Sequence, residues 1–136
     1  MGSQLQPIRL VAQLSAALRL LADAPDGQRA WLARYLRDPR AGTDGDFRVD
    51  ELALQFEDAA QALPHFIEDG LLGKEQERAV SAVSEQLSSM RDARHARLWC
   101  ADALGADTAW VEVRRRAAVA LAKLVASPSA FGAPEE

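Results

Sequence analysis

Leu10, Val11, Leu14, Leu18 and Leu21 recur at steps of three and four residues. The same spacing returns in Leu52, Phe56, Ala59, Ala60 and Leu63, in Val80, Val83, Leu87 and Met90, and in Trp110, Val113, Ala117, Leu121 and Leu124. A helical period of about 3.6 residues gathers such side chains on one side of a helix. A strand would need alternation at a period of two, and no useful length shows it; Phe47-Arg48-Val49 is the one extended-looking piece. Helices with one apolar stripe each must bury those stripes on one another. The expected fold is therefore all-α, a single-domain bundle of about five helices.

The helices are expected over residues 7–24, 28–37, a third starting near Asp50, then 74–91 and 108–126. Pro7 is read as the first helical position of the first, and Ala24-Pro25-Asp26-Gly27 as a turn. Trp31 and Tyr35 stand one turn apart on the second helix, which Asp38-Pro39 ends because a residue before proline avoids helical angles. Asp50 is read as the N-cap of the third. Pro64 ends or kinks that helix, with a further turn over 65–67 closed by Gly70. Between 92 and 107, Leu98, Trp99 and Cys100 are read as core anchors, Ala101 to Leu104 as one helical turn, and Asp107 as the N-cap of the last helix. At 136 residues with 49% hydrophobic content, largely Ala, Leu and Val, one domain can bury its core without metal or disulfide. That domain is expected over residues 1–126, with a frayed tail, SPSAFGAPEE, over 127–136.

Cys100 is the single cysteine, which cannot form an internal disulfide. No basic–apolar–small pattern precedes Arg9. No apolar run approaches the ~20 residues that span a bilayer. The expected setting is cytoplasmic, without membrane contact.

Charge is uneven. Residues 38–77 hold 11 acids and 3 bases, net −8, whereas residues 1–37 carry net +3 and residues 78–136 net +1. An acidic block repels nucleic acid and attracts a basic partner. The competing reading is a solvated acidic face with no partner.

The stretch GTDGDFRVDEL at 42–52 invites a calcium loop, which needs oxygen ligands at its first, third and fifth positions, glycine at the sixth and glutamate at the twelfth. A register from Asp44 puts Arg48 fifth, Val49 sixth and Gln55 twelfth; one from Asp46 puts Arg48 third and Glu51 sixth. Both fail. The glycines match no phosphate-binding pattern. His65, His95 and Cys100 lack the spacing of a transition-metal site. Cys100, between Trp99 and Ala101, reads as a small buried hydrophobe rather than a nucleophile. Adjacent carboxylates such as Glu57-Asp58 and Glu68-Asp69 point about 100° apart on a helix and do not share a proton or a metal. These readings leave no expected catalytic, cofactor or metal site.

The arginines offer a second possibility. Arg91, Arg94 and Arg97 form one cluster and Arg115 and Arg116 another, a basis for a regulatory helical domain that binds nucleic acid or protein. They lie beside acids and lack interleaved aromatics, which disfavours nucleic acid. Arg114 falls inside the apolar face of the last helix and is expected to form an ion pair or hydrogen bonds to a loop.

The third helix presents the most informative surface. Glu51, Gln55 and Asp58 share one face, and Leu54 falls near them, away from the apolar stripe. An apolar side chain ringed by Glu51, Glu57, Asp58 and Gln61 has the layout of an interface anchor with a polar rim. With the loop acids Asp44 and Asp46 and the acids Glu68 and Asp69, these residues make up the candidate partner-binding set. The alternative covers Leu54 with the 39–49 loop or the second helix. Phe47 and Val49 are expected to tuck into the core.

The stretches FRVDELALQFEDAAQAL and LWCADALGADTAWVEVRRRAAVALAKL resemble small all-helical bacterial immunity proteins, the partners of polymorphic or contact-dependent growth-inhibition toxins. The resemblance covers about residues 30–125 and lies in layout: two helical halves, an acidic centre, and a Trp followed by a basic amphipathic helix. It implies a protein without catalysis of its own that binds and blocks a toxin domain, often a basic nuclease. An acidic protein suits such a partner because opposite charges steer association.

Overall fold

The computed structural model describes residues 2–125. Among them, seven α-helices follow in order and no strand forms: α1 (Gly2–Ala22), α2 (Pro25–Tyr35), α3 (Asp50–Ala60), α4 (Leu63–Glu68), α5 (Lys74–Ser89), α6 (Ala101–Ala106) and α7 (Thr108–Val125). A 3₁₀ stretch, Ala93–Trp99, joins α5 to α6. The all-α bundle expected from periodicity is the one observed. The count exceeds five because the turn after Pro64 and the segment from Ala101 each close into a short helix. The tail expected over 127–136 lies outside the described residues.

The apolar stripes meet in one core. α7 packs along both α1 and α5, and α1 packs along α3. Val11, Leu14, Leu18 and Leu21 of α1, Leu52 and Phe56 of α3, Val80, Val83 and Leu87 of α5, and Trp110, Val113, Ala117 and Leu124 of α7 are all buried. Burying each large side chain of this kind contributes about 1.5–3 kcal/mol. Ala17, Ala53 and Ala120 are buried too, where small side chains let helix axes approach. No described helix is long and apolar enough to cross a membrane.

Several helix ends depart from expectation. α1 reaches back to Gly2, so Pro7 lies in its second turn rather than at its start and forfeits a helical hydrogen bond there. Pro25 opens α2 instead of sitting in a turn: Ala24 is extended (ψ 156°) and the fixed φ of proline suits a first helical position. α2 closes with Arg37 in the left-handed region (φ 53°). The Asp38 amide reaches back to Ala33 O (3.1 Å) and the Arg37 amide to Arg34 O (3.2 Å), a Schellman closure made with arginine where glycine is usual. Asp50 does not cap α3. Val49 at the cap is already helical (φ −61°, ψ −24°), and Asp50 and Glu51 occupy the first turn, where carboxylates favour the helix dipole. Asp107 does cap α7, its Oδ1 accepting the Ala109 amide at 2.8 Å.

Two tryptophans fasten the 90–100 segment. Trp99 Nε1 donates to Met90 O (2.7 Å) and Trp110 Nε1 to Leu98 O (2.6 Å). Their rings meet edge to face, with centroids 5.4 Å apart. Leu98 and Cys100 are buried as expected and Trp99 is half-buried against the core; Ala101 and Leu104 are buried as well.

Gln28 is the polar centre of the bundle. It is 0% exposed, and its Nε2 donates to Leu20 O (3.2 Å) and Leu21 O (3.0 Å). Leu21 O thereby gains the donor that the C-terminus of α1 leaves it without, whereas Leu20 O also accepts the Asp23 amide (3.2 Å). Arg114 Nη1 approaches Gln28 Oε1 at 3.4 Å and donates to Leu104 O at 2.8 Å. Arg114 thus forms hydrogen bonds rather than an ion pair, and burial lowers its pKa.

Candidate functional site

The α2–α3 loop is a built structure. Arg48 bridges two acids, with Nε on Asp46 Oδ1 (2.8 Å) and Nη2 on Asp38 Oδ2 (3.1 Å). The other oxygen of Asp46 accepts the Gly42 amide (3.0 Å). Arg29 donates to Gly42 O (3.2 Å), Asp44 Oδ1 (3.2 Å) and Ala101 O (2.9 Å). From α6, the Ala101 amide donates to Asp46 O (2.8 Å), and Asp102 Oδ1 accepts the Gly45 amide (2.7 Å). Gly42 and Gly45 have φ of 81° and 89°, angles that other residues adopt only at a cost. Against the upward push of burial, the Gly42 amide and Arg48 hold the Asp46 carboxyl below the usual range. Asp38 is lowered by the Arg40 amide and Arg48, and Asp102 by the Gly45 amide and the Cys100 thiol.

The candidate acids therefore divide. Asp46 keeps only 10% of its side chain exposed and binds within the loop, whereas Asp44 keeps 79% while paired with Arg29. Glu57 pairs with Arg91 (2.9 Å), whose guanidinium lies 4.6 Å from the Trp99 ring centroid. Glu68 and Asp69 are exposed at the end of α4, with Glu68 4.0 Å from His65. On α3, Glu51 and Gln55 are half-buried, Asp58 is exposed and Leu54 is 37% exposed, and Gln61, just past its end, is exposed. Neither the loop nor α2 fully covers Leu54. Asp58 enters none of the ion pairs among the described residues.

Beside this face, an open groove of about 670 Å³ runs where α1, α2 and α3 meet. Ala16, Ala17 and Leu20 of α1, Trp31 and Arg34 of α2, and Gln55, Asp58 and Ala59 of α3 line it. Trp31 stacks on Tyr35 with ring centroids 4.5 Å apart, as their spacing on one helix allows, and Tyr35 is 51% exposed. The structure thus brings Gln55 and Asp58 to one groove wall. Asp44 and Asp46 stay in the loop, and Glu68 and Asp69 at the end of α4. Trp31, Tyr35 and the α1 alanines were missing from the candidate set. Only the aromatic spacing at 31 and 35 hinted at them, because a groove between helices has no local sequence signature.

Phe47 corrects an expectation. It is 55% exposed, while Val49 is fully buried. In an extended strand both would face one side, but the helical angles at Val49 break that alternation.

Most of the arginines in the two clusters are engaged. Arg91 pairs with Glu57 and Arg94 with Asp92. Arg115 and Arg116 share Glu112, each at 2.6 Å, and Arg116 also donates to Ala82 O (2.8 Å). Hydrogen bonds from Arg115 and Arg116 lower the Glu112 carboxyl to about 2. Arg97 is exposed. Among the described residues, no group of three His, Cys, Asp or Glu side chains could hold a metal ion. Cys100 is buried and directs its Sγ toward Asp102 Oδ1 (3.4 Å).

The fold and surface together describe a helical bundle with an open three-helix groove beside an acidic helix face. No protein-family model, curated protein or solved structure matches the chain.

Proposed function

We propose that the protein is a non-catalytic binding module, an immunity protein that binds and neutralises a cognate bacterial toxin in the cytoplasm. One observation carries the reading: Leu54, 37% exposed, stands on the same helix as Gln55 and Asp58, which wall the groove of about 670 Å³. An apolar centre with a polar rim is the anatomy of a protein interface. The Trp31–Tyr35 stack adds the rigid aromatic surface that carries binding energy at such sites.

Charge sets the kind of partner. Glu51 and Asp58 on α3 belong to the net −8 block. A basic domain, such as that of a nuclease, is drawn to this face and an acidic one is repelled. A photo-crosslinking residue at Leu54, introduced in the native host, tests the proposal, with one at Glu85 as control. The expected product is one basic protein crosslinked from Leu54 and absent from Glu85. Equal crosslinking from both positions, or an acidic partner from Leu54, contradicts the reading.

A further inference from the structure

We infer that Phe47 is a preorganised anchor by which the α2–α3 loop docks on a basic protein, entering an apolar socket bordered by lysine or arginine. The inference rests on the protein-binding reading but places a contact outside the α3 face and its groove.

Exposure alone does not single out Phe47. What does is the rigidity of the backbone that carries it. Immediately before it, the Gly45 amide is bound to Asp102 Oδ1 (2.7 Å) and Asp46 O to the Ala101 amide (2.8 Å). Immediately after it, the Arg48 side chain is fixed between Asp46 and Asp38, and Val49 is buried. A large apolar side chain on a loop already fixed from both sides loses little further conformational entropy on docking. Phe56 and Phe66, by contrast, are buried.

The surroundings set the partner's chemistry. Residues 38–51 hold five acids (Asp38, Asp44, Asp46, Asp50, Glu51) and two bases (Arg40, Arg48), net −3. Asp44 is 79% exposed, and Asp102, exposed on α6, reaches the same loop. A partner that buries Phe47 meets a loop that carries this net negative charge. A basic rim gains from that contact and an acidic rim is rejected.

The test uses two short helical peptides with the same leucine stripe, one flanked by lysines and one by glutamates, titrated into the full chain and followed by NMR. The lysine peptide is expected to shift the Phe47 ring and the Gly45 and Arg48 amides saturably, and the glutamate peptide to leave them unmoved. Phe47→Ala should weaken lysine-peptide binding about tenfold or more, and Phe47→Trp should retain it. Both variants should melt like the native chain, since Phe47 is outside the core. A lysine peptide that leaves the loop unmoved overturns the inference. Shifts confined to Leu54, Gln55 and Asp58 overturn it while leaving the α3 docking face intact; shifts at Phe47 with none on α3 do the reverse. A concentration-dependent dimer abolished by Phe47→Ala assigns the anchor to a second copy of the chain and also overturns it.

Discussion

The main-chain amide of Gly45 donates to Asp102 Oδ1 at 2.7 Å, across 57 residues of sequence. This bond ties the tip of the α2–α3 loop to the first turn of α6. It makes the acidic segment at 42–52 part of the bundle rather than a tether between helices. Asp102→Ala should raise hydrogen exchange at the Gly45 amide about tenfold, with exchange in the middle of α5 unchanged. Equal protection in the variant would mean that the loop is fixed by its other bonds alone.

Gly42 and Gly45 make a paired prediction. A Cβ at Gly42 would meet Arg29 O at 2.8 Å in addition to the positive φ, whereas one at Gly45 would meet nothing within 4 Å. Gly45→Ala carries backbone strain alone, about 1 kcal/mol. Gly42→Ala adds displacement of α2 and should cost about 2–3 kcal/mol. Urea midpoints of the two variants read the difference, and equal midpoints contradict it.

Gln28 tests the polar centre. Gln28→Leu preserves volume but leaves Leu21 O without a donor and takes one acceptor from Arg114, while Leu20 O keeps the Asp23 amide. Unsatisfied buried groups cost about 1–3 kcal/mol, so the variant should lose about 2 kcal/mol despite its greater apolarity. A denaturation curve no less stable than that of the native chain would show that water satisfies these groups.

Acid should weaken the fold. Glu112 falls from 4.5 to about 2 in the folded chain, mainly through hydrogen bonds from Arg115 and Arg116. Its folded form therefore binds fewer protons than its unfolded form. The stability it contributes is complete above 4.5 and is lost as pH falls toward about 2. Asp38, Asp46 and Asp102 are lowered as well and act in the same direction. Glu112→Gln should flatten the dependence of melting temperature on pH across this window. An unchanged slope would remove Glu112 from the acid response.

The fold was legible because periodicity is local. The stripe at Val80, Val83, Leu87 and Met90 fell inside the core as read, and so did Trp110, Val113, Ala117 and Leu124, with Leu121 half-buried at its edge. Arg114 stood out because it interrupts such a stripe, and its hydrogen bonds were foreseeable for the same reason. The loop was not legible in this way. Whether Asp46 faces water or Arg48 depends on Arg29 of α2 and on Ala101 and Asp102 of α6, residues that sequence spacing does not relate to it. Phe47 was misplaced because two apolar residues at a spacing of two read as one strand face, while α3 begins its helical turn at Val49. Glu57 belonged to an acidic surface by sequence, but in the fold Arg91 arrives from 34 residues away to pair with it.

The central claim is that the α3 face docks a basic protein by electrostatic attraction. The most direct test is the association rate between the protein and the partner that co-purifies with it from the native cell, measured at low and high salt. Native protein and the double variant Glu51→Lys, Asp58→Lys are compared. Salt should slow native association about tenfold or more, and charge reversal should slow it further at low salt. Association indifferent to both salt and charge reversal would contradict that claim.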